Sequence, residues 1–477
     1  MREALHELTL KQASDLIASG EVSSSDLAET MLSRIKTLDP VLKSFIHVSP
    51  ERVRASAKAA DAALTAGYRL GPLHGIPVAI KDIVAVRGEP MTCGSKLLAG
   101  NVAEEDATVA ARLRAAGAIF LGRLNMHEFA YGVTTENPHY GTTRNPWHLG
   151  HSAGGSSGGS GVAVAARLCY GALGSDTGCS VRLPASYNGI SGIRPTIGRV
   201  SNAGVGTLAW TLDTVGPMAR TVEDCALMLE AMAGHDPRDA QTGLVPVPNY
   251  LKEMKRGLDG IRLALIKDYS LTGLHPDVAL AMEQAITVLR QAGATVVELP
   301  VPELEPAISA LLTVDIAEPA AYHAEWLRSR GEAYGADVRA LLRVGELYLA
   351  THYIQAQRYR TVIAEHIANV LARADAIITP TVPFTVPQIG QAEVEMPTGE
   401  KANIIMAVMK YNALPPLAGL PALSVPCGFS QDGMPIGMQI IGRGFGEAAV
   451  LNIGHGFQEI TDWHTKAPSL SGNLETS

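Results

Sequence analysis

The sequence has few aromatic residues, few cysteines and no run of basic residues. Aromatic residues make up 5% of the 477 residues, and the formal net charge is −8. Because nucleic-acid binding usually needs a basic surface, this composition argues against a nucleic-acid partner. The five cysteines contain no CxxC pair, so neither a disulfide framework nor a zinc site is expected. We therefore expect a cytoplasmic protein.

Apolar segments that could enter a membrane are also lacking. The first ten residues carry Arg2, Glu3 and Glu7 and have no apolar core of the kind a secretory signal needs. Residues 411–430 are free of charged side chains but contain four prolines, which a plain membrane helix would not tolerate. Neither a secretory signal nor a membrane helix is expected.

Short apolar runs alternate with helical patterns over much of the chain. An apolar run at 76–80 is followed by a helical pattern over about 106–116 and by a second apolar run at 119–121. The same order returns over 261–299. Such βαβ-type order predicts a single large α/β domain with a central mixed sheet flanked by helices.

We expect this domain to span residues 1–477 as four consecutive segments. They are an N-terminal helical segment (1–60), a core that carries the motifs described below (65–240), a helical insert on the substrate side (241–400) and a return to the core (401–465).

Two segments rich in glycine and serine lie close together in the sequence. They are GGSSGGSG at 154–161 and GSDTGCSVR at 174–182. A phosphate-binding P-loop would need a lysine after the glycines, and none follows. Residues 154–158 also match the GxSxG elbow of esterases, with Ser156 as nucleophile and a histidine further along the chain, although residues 145–150 make a poor preceding strand. A purely structural Gly/Ser loop is the remaining alternative.

The combined motifs resemble the amidase signature family. The likeness covers about residues 65–240, including a Lys-Asp pair at 81–82, and returns at 413–441. It implies a hydrolase that cuts amides through a Ser-Ser-Lys triad, without a metal or other cofactor. The residues it assigns are Lys81 as general base, Ser156 as proton relay, Ser180 as nucleophile, and the backbone N–H groups of Thr177, Gly178, Cys179 and Ser180 as the oxyanion hole.

The implied triad sets a condition on Lys81. A lysine can act as a base only when neutral, and burial away from carboxylates lowers its pKa. We therefore expect Asp176 to pair with Arg182 rather than with Lys81, the alternative being a surface lysine paired with an acid. The family usually has glycine before the nucleophile, where this chain has Cys179. A left-handed backbone there would cost a side chain about 1–2 kcal/mol, and we expect the thiol to be a spectator.

The substrate is constrained by one further departure. The glutaminase subunit of tRNA-dependent amidotransferases, a member of this family, needs an acidic residue to hold the α-amine of glutamine. Met409 stands at the corresponding position and Pro416 replaces an asparagine. Because a buried ammonium without a partner is costly, the expected substrate is a small apolar or aryl amide, anilide or carbamate. The glutaminase and the GxSxG esterase remain as alternatives.

The expected contacts follow from this choice of substrate. The candidate pocket residues are Tyr131, Gly154, Gly155, Thr381 and Phe384. The expected partners are a small-molecule amide and water, with no nucleic acid and no membrane, and a homodimer is possible.

Overall fold

Helices and strands alternate through most of the computed structural model, which describes residues 4–396 and 399–470. The ends of the predicted 1–477 domain therefore lie outside the described residues. The helices are α1 Leu10–Ser19, α2 Ser24–Leu42, α3 Pro50–Thr65, α4 Thr108–Ala115, α5 Gly158–Ala165, α6 Arg182–Asn188, α7 Val222–Met232, α8 Tyr250–Glu253, α9 Pro276–Gln291, α10 Pro306–Arg330, α11 Ala336–Gly345, α12 Ala350–Leu371, α13 Ile404–Asn412, α14 Leu414–Ala418 and α15 Glu447–Glu459. The strands are β1 Phe45–Val48, β2 Pro77–Lys81, β3 Ile119–Leu124, β4 Glu136–Asn137, β5 Gly141–Thr142, β6 Gly171–Asp176, β7 Ser191–Arg194, β8 Thr214–Ala219, β9 Arg262–Ile266, β10 Thr295–Leu299, β11 Ala376–Pro380, β12 Glu393–Glu395, β13 Lys401–Asn403, β14 Ala422–Phe429 and β15 Pro435–Ile441.

One mixed sheet organises the described part of the chain. Its eleven strands follow the order β1-β3-β2-β6-β8-β7-β14-β15-β11-β9-β10. The pairs β3/β2, β2/β6, β11/β9 and β9/β10 are parallel, and the other neighbours are antiparallel. The prediction of a single α/β domain with a mixed sheet flanked by helices is confirmed. All four predicted segments supply strands to this sheet, and the boundaries between them stay a prediction.

The N-terminal helices form largely where the sequence predicts them. Gly20 ends α1 in the left-handed conformation with a φ of 76°, and the side chain of Ser23 caps α2. The expectation that Pro40 stops α2 is wrong, because the helix continues to Leu42. Pro40 falls in the last turn, where few hydrogen bonds depend on the backbone that proline disturbs.

The site is positioned by the parallel neighbours β2 and β6. Val78 pairs with Gly171 and Ile80 with Leu173, and every residue of both strands is buried. Parallel strands place their carboxyl ends at the same edge of a sheet, where α/β proteins usually bind ligands. Lys81 is the last residue of β2, and the segment 177–180 follows β6 directly. The fold therefore brings these two parts of the sequence to one edge.

Candidate active site

Lys81 is a fully buried amine surrounded by hydroxyl groups. Its Nζ lies 2.8 Å from the Oγ atoms of Ser156 and Ser157 and 2.9 Å from that of Ser175. Burial lowers the pKa of Lys81 to about 7, although the negative charges of Asp176 and Asp213 act in the opposite direction. Within residues 4–396 and 399–470, no carboxylate forms an ion pair with this amine. A substantial fraction of Lys81 is therefore neutral near pH 7.

Asp176 is the buried acid closest in sequence to the oxyanion segment, and it is neutralised by two arginines. Its Oδ1 lies 2.9 Å from Nη2 of Arg182 and 3.1 Å from Nη1 of Arg194. Burial alone would raise the pKa of Asp176, but the two guanidinium groups hold it below its usual value. The expected pairing of Asp176 with Arg182 is present, so this carboxylate is not available to hold Lys81 as an ammonium.

The loop of residues 177–180 presents its backbone amides without internal partners. Among the described residues, no acceptor is bonded to the N–H of Thr177, Gly178, Cys179 or Ser180, whereas the N–H groups of Val181 and Arg182 donate to Asp176. Arg182 also donates to the carbonyl of Gly178 at 2.5 Å. Unpaired amides held by a rigid loop are what an oxyanion hole needs.

Cys179 fits into this loop without the strain considered above. Its φ is not positive, so its side chain does not require a left-handed backbone. Its Sγ lies 3.9 Å from the carbonyl oxygen of Gly155, which shows that the two glycine-rich loops are adjacent. Burial raises the pKa of the thiol, which leaves little thiolate to act as a nucleophile.

Ser156 and Ser180 lie on these two adjacent loops. Ser156 is fully buried and its hydroxyl contacts Lys81, whereas Ser180 is 6% exposed and lines a cavity. Over the described ranges their Oγ atoms form no direct hydrogen bond, and no imidazole bonds to Ser156. A nucleophile elbow would require a histidine at that position, so the geometry does not support the GxSxG interpretation.

The cavity at Ser180 has a volume of about 210 Å³ and a mainly apolar wall. Its apolar side chains are Tyr131, Val133, Leu208, Leu312, Ile316, Leu341, Ile405, Met406 and Met409, and its polar residues include Thr177, Ser180, Asp315 and Asn403. Met409 therefore faces this cavity at the position where the family's glutaminase carries an acid. The apolar wall extends from the nucleophile loop to α10 and α13.

The candidate pocket residues are only partly brought together. Tyr131 lines the cavity. Thr381 is buried with its Oγ 2.8 Å from that of Ser424, and Phe384 packs in the hydrophobic core. Gly154 and Gly155 pack closely against neighbouring chain, where a Cβ on Gly155 would lie 2.6 Å from the backbone nitrogen of residue 134. The structure does not place these four among the residues that line this cavity.

Three polar side chains of the site were missed by the sequence reasoning. Ser157 was expected only to hold its own loop, and Ser175 was not considered, yet both contact Lys81. Asp315 lies on α10, in a segment that carries no recognisable motif. The position of Ser175 within the second glycine-rich motif is the one signal that could have revealed its role.

A second, more polar cavity shares Ala130, Thr177 and Leu208 with the first. Ser175 and Asp213 also line it. Asp213 accepts a 2.6 Å hydrogen bond from Thr177, and burial raises its pKa to about 6. The nucleophile loop is thus flanked by an apolar cavity and a polar one.

Two further features do not occur among the described residues. No group of three or more potential metal ligands lies together in this part of the chain. No helix in it combines the length and apolar character needed to cross a membrane.

These features of fold and site agree with the family comparison. The chain belongs to the Amidase family, whose model matches residues 26–451, and it is an amidase signature enzyme. A glutamyl-tRNA(Gln) amidotransferase subunit from Chloroflexus aggregans is 41% identical over 493 residues, covering 98% of this chain and 99% of that protein.

Two solved structures extend the comparison. One chain comes from a vestigial protein complex that bears on the origins of an s-triazine catabolic enzyme. It is 34% identical with a TM-score of 0.91, covering 95% of this chain and 98% of its own. The corresponding glutamyl-tRNA(Gln) amidotransferase subunit from Thermotoga maritima is 32% identical with a TM-score of 0.82, covering 98% of each chain.

The comparisons correct the expected partners. The protein was expected to act with a small-molecule amide and water alone, with no nucleic acid and a possible homodimer. That expectation is wrong, because the curated relatives are named as one subunit of an enzyme for glutamyl-tRNA(Gln). Net charge and basic runs could not reveal this, since they describe a chain's own surface and not the assembly to which its relatives belong.

Proposed function

We propose that the protein hydrolyses a carboxamide through an acyl-enzyme on Ser180. Neutral Lys81 takes a proton from Ser156, which takes one from Ser180 as its oxygen attacks the carbonyl carbon. The three hydroxyl contacts of Lys81 and its pKa of about 7 support this order of transfer, because an activated serine needs a nearby base. Ser156 then returns a proton to the leaving amine, and water releases the acyl group by the same steps.

The segment 177–180 is proposed as the oxyanion hole. Its amides carry no internal hydrogen bond among the described residues, so they are free to donate to the oxyanion that forms during attack. Each such donor typically contributes about 3–4 kcal/mol to transition-state stabilisation. The polar cavity beside Ser175 and Asp213 offers space for the leaving amine and the hydrolytic water.

The biological setting that the relatives support is an amidotransferase. We propose that the chain is the amide-hydrolysing subunit of such an assembly, with glutamine as the amide that supplies ammonia. The observation that carries this proposal is the 41% identity to a glutamyl-tRNA(Gln) amidotransferase subunit over 98% of this chain. Partner subunits and glutamyl-tRNA(Gln) would then be part of its function.

The cavity favours a second candidate, the hydrolysis of a small apolar amide. Met409 and its apolar neighbours face Ser180, and no lysine or arginine is among the described residues that line this cavity. The α-carboxylate of glutamine would be buried there without a cation, which is unfavourable. An alkyl or aryl acyl group would bury its surface favourably.

Glutamine and pentanamide distinguish the two candidates. If the chain is a glutaminase, glutamine is expected to exceed pentanamide in kcat/KM by at least about tenfold, which corresponds to one charged contact. Ammonia release from the purified chain measures both rates, and intact mass identifies the acylated residue. A ratio reversed by the same factor would favour the small apolar amide, and the Ser160→Ala variant serves as a control because its hydroxyl bonds only to the carbonyl of Leu173.

The pH dependence of hydrolysis tests the state of Lys81. Its folded pKa of about 7 lies below its usual value of 10.5, so lowering the pH through 7 protonates the base. We therefore expect kcat/KM for pentanamide to fall about tenfold per pH unit below that point and to level off above it. Circular dichroism should show an unchanged fold over the same range, and a flat profile from pH 5 to 9 would contradict the assignment.

A further inference from the structure

The apolar cavity contains an acidic side chain that the reaction steps above do not use. Asp315 on α10 lines the same cavity as Ser180. Its Oδ1 is buried and has no hydrogen-bond partner among the described residues. A buried carboxylate usually has a partner, because leaving one unpaired is costly. The empty coordination of Asp315 therefore points to a ligand rather than to a structural role.

A second polar group of the same cavity is unsatisfied in the same way. The hydroxyl of Tyr131 is buried without a hydrogen-bond partner in the described part of the chain, and the residue is only 5% exposed. Burial raises the pKa of this hydroxyl, and the negative charge of Asp315 raises it further. The two groups are thus close enough to interact electrostatically, and both belong to the wall that would contact an acyl group.

We propose that Asp315, with Tyr131, binds an amino group on the acyl portion of the substrate. This inference rests on the proposed function, since it names the substrate class of the same site. The acceptors would be Asp315 and Tyr131, while the aliphatic part of the substrate lies against Leu312, Ile405 and Met409. The chain would thereby carry on α10 the acid that position 409 lacks.

The charges around Asp315 agree with a cationic ligand. Burial raises the pKa of Asp315 well above its usual value, and the negative charges of Asp213 and Glu318 add to this effect. Both neighbours are themselves hydrogen-bonded, Asp213 to Thr177 and Glu318 to Thr211 and Tyr353. Asp315 is therefore the acid of this group that is free to receive an ammonium, which would offset the repulsion.

Matched substrates test the proposal. ω-Aminoalkanamides of three to six carbons are compared with alkanamides in which a methyl replaces the amino group, as in 4-aminobutanamide and pentanamide. At one chain length, we expect the amino substrate to exceed its isostere in kcat/KM by at least about tenfold. Asp315→Leu should reduce this ratio by the same factor, and Asp315→Asn should reduce it in part. Glu325→Gln, an exposed acid on the same helix, should leave the ratio unchanged.

Binding provides a readout that does not depend on hydrolysis. Calorimetry should show n-butylammonium binding more tightly than n-butanol to the native protein but not to Asp315→Leu, whose folding is checked by fluorophosphonate labelling of Ser180. Hydrolysis of both amides without preference at any chain length, together with equal binding of the two ligands, would overturn the inference and leave the proposed function standing. Selective binding of the ammonium without hydrolysis or labelling would overturn the proposed function alone.

Discussion

Replacing Ser180 with alanine is expected to reduce amide hydrolysis by about 10⁴-fold or more, as loss of a covalent nucleophile does in serine hydrolases. The cavity and the free amides of 177–180 would remain, so substrate binding should change little. Steady-state ammonia release measures the loss, and intact mass after incubation with substrate should show an acyl adduct on the native protein that is missing from the variant.

The neighbouring serines provide the comparison for this variant. Ser160→Ala removes a hydroxyl from the same glycine-rich motif as Ser156 but one that bonds only to a carbonyl, and it should retain activity within about threefold. An acyl adduct that persists in Ser180→Ala would assign the nucleophile to another residue and contradict the proposed reaction.

Replacing Lys81 with alanine is expected to lower kcat by about 10²–10⁴-fold, the usual contribution of a general base. Lys81→Arg should lose as much, because a guanidinium stays protonated and cannot accept the proton from Ser156. KM should change less than kcat, since Lys81 is fully buried and contacts only hydroxyl groups.

Two further variants make the Lys81 result decisive. Lys36→Ala, at a position outside the site on α2, should behave as the native protein. If Lys81→Ala is nearly normal while Ser156→Ala is inactive, the serine of the GxSxG motif is the nucleophile and the triad is wrong. Circular dichroism and thermal unfolding of each variant exclude loss of the fold as the cause.

The parts of the site that the sequence predicts are those tied to local motifs. Lys81 ends an apolar run, and such a run becomes a buried strand that removes the amine from water. The charge pair of Asp176 and Arg182 could also be expected, because the two residues lie six positions apart, on either side of the proposed oxyanion loop. These inferences need only the secondary structure and the local chemistry.

The parts that the sequence could not predict depend on distant contacts. Asp315 and Met409 reach the cavity from α10 and α13, far along the chain from Ser180. Thr381 and Phe384 follow β11 in a proline-rich segment that resembled a pocket wall, yet both are packed inside the core. Only the packing of helices against the sheet decides which of these side chains meets the nucleophile.

The parallel pairing of β2 with β6 has a consequence for the newly synthesised chain. The amine comes from one strand and the proposed oxyanion loop follows the other, so neither is complete until residues about a hundred positions apart have met. Before that, the lysine is hydrated and protonated and the serine is an ordinary alcohol. A ribosome-bound or misfolded chain would thus be hydrolytically silent, and cellular amides would meet a reactive hydroxyl only on molecules that have finished folding.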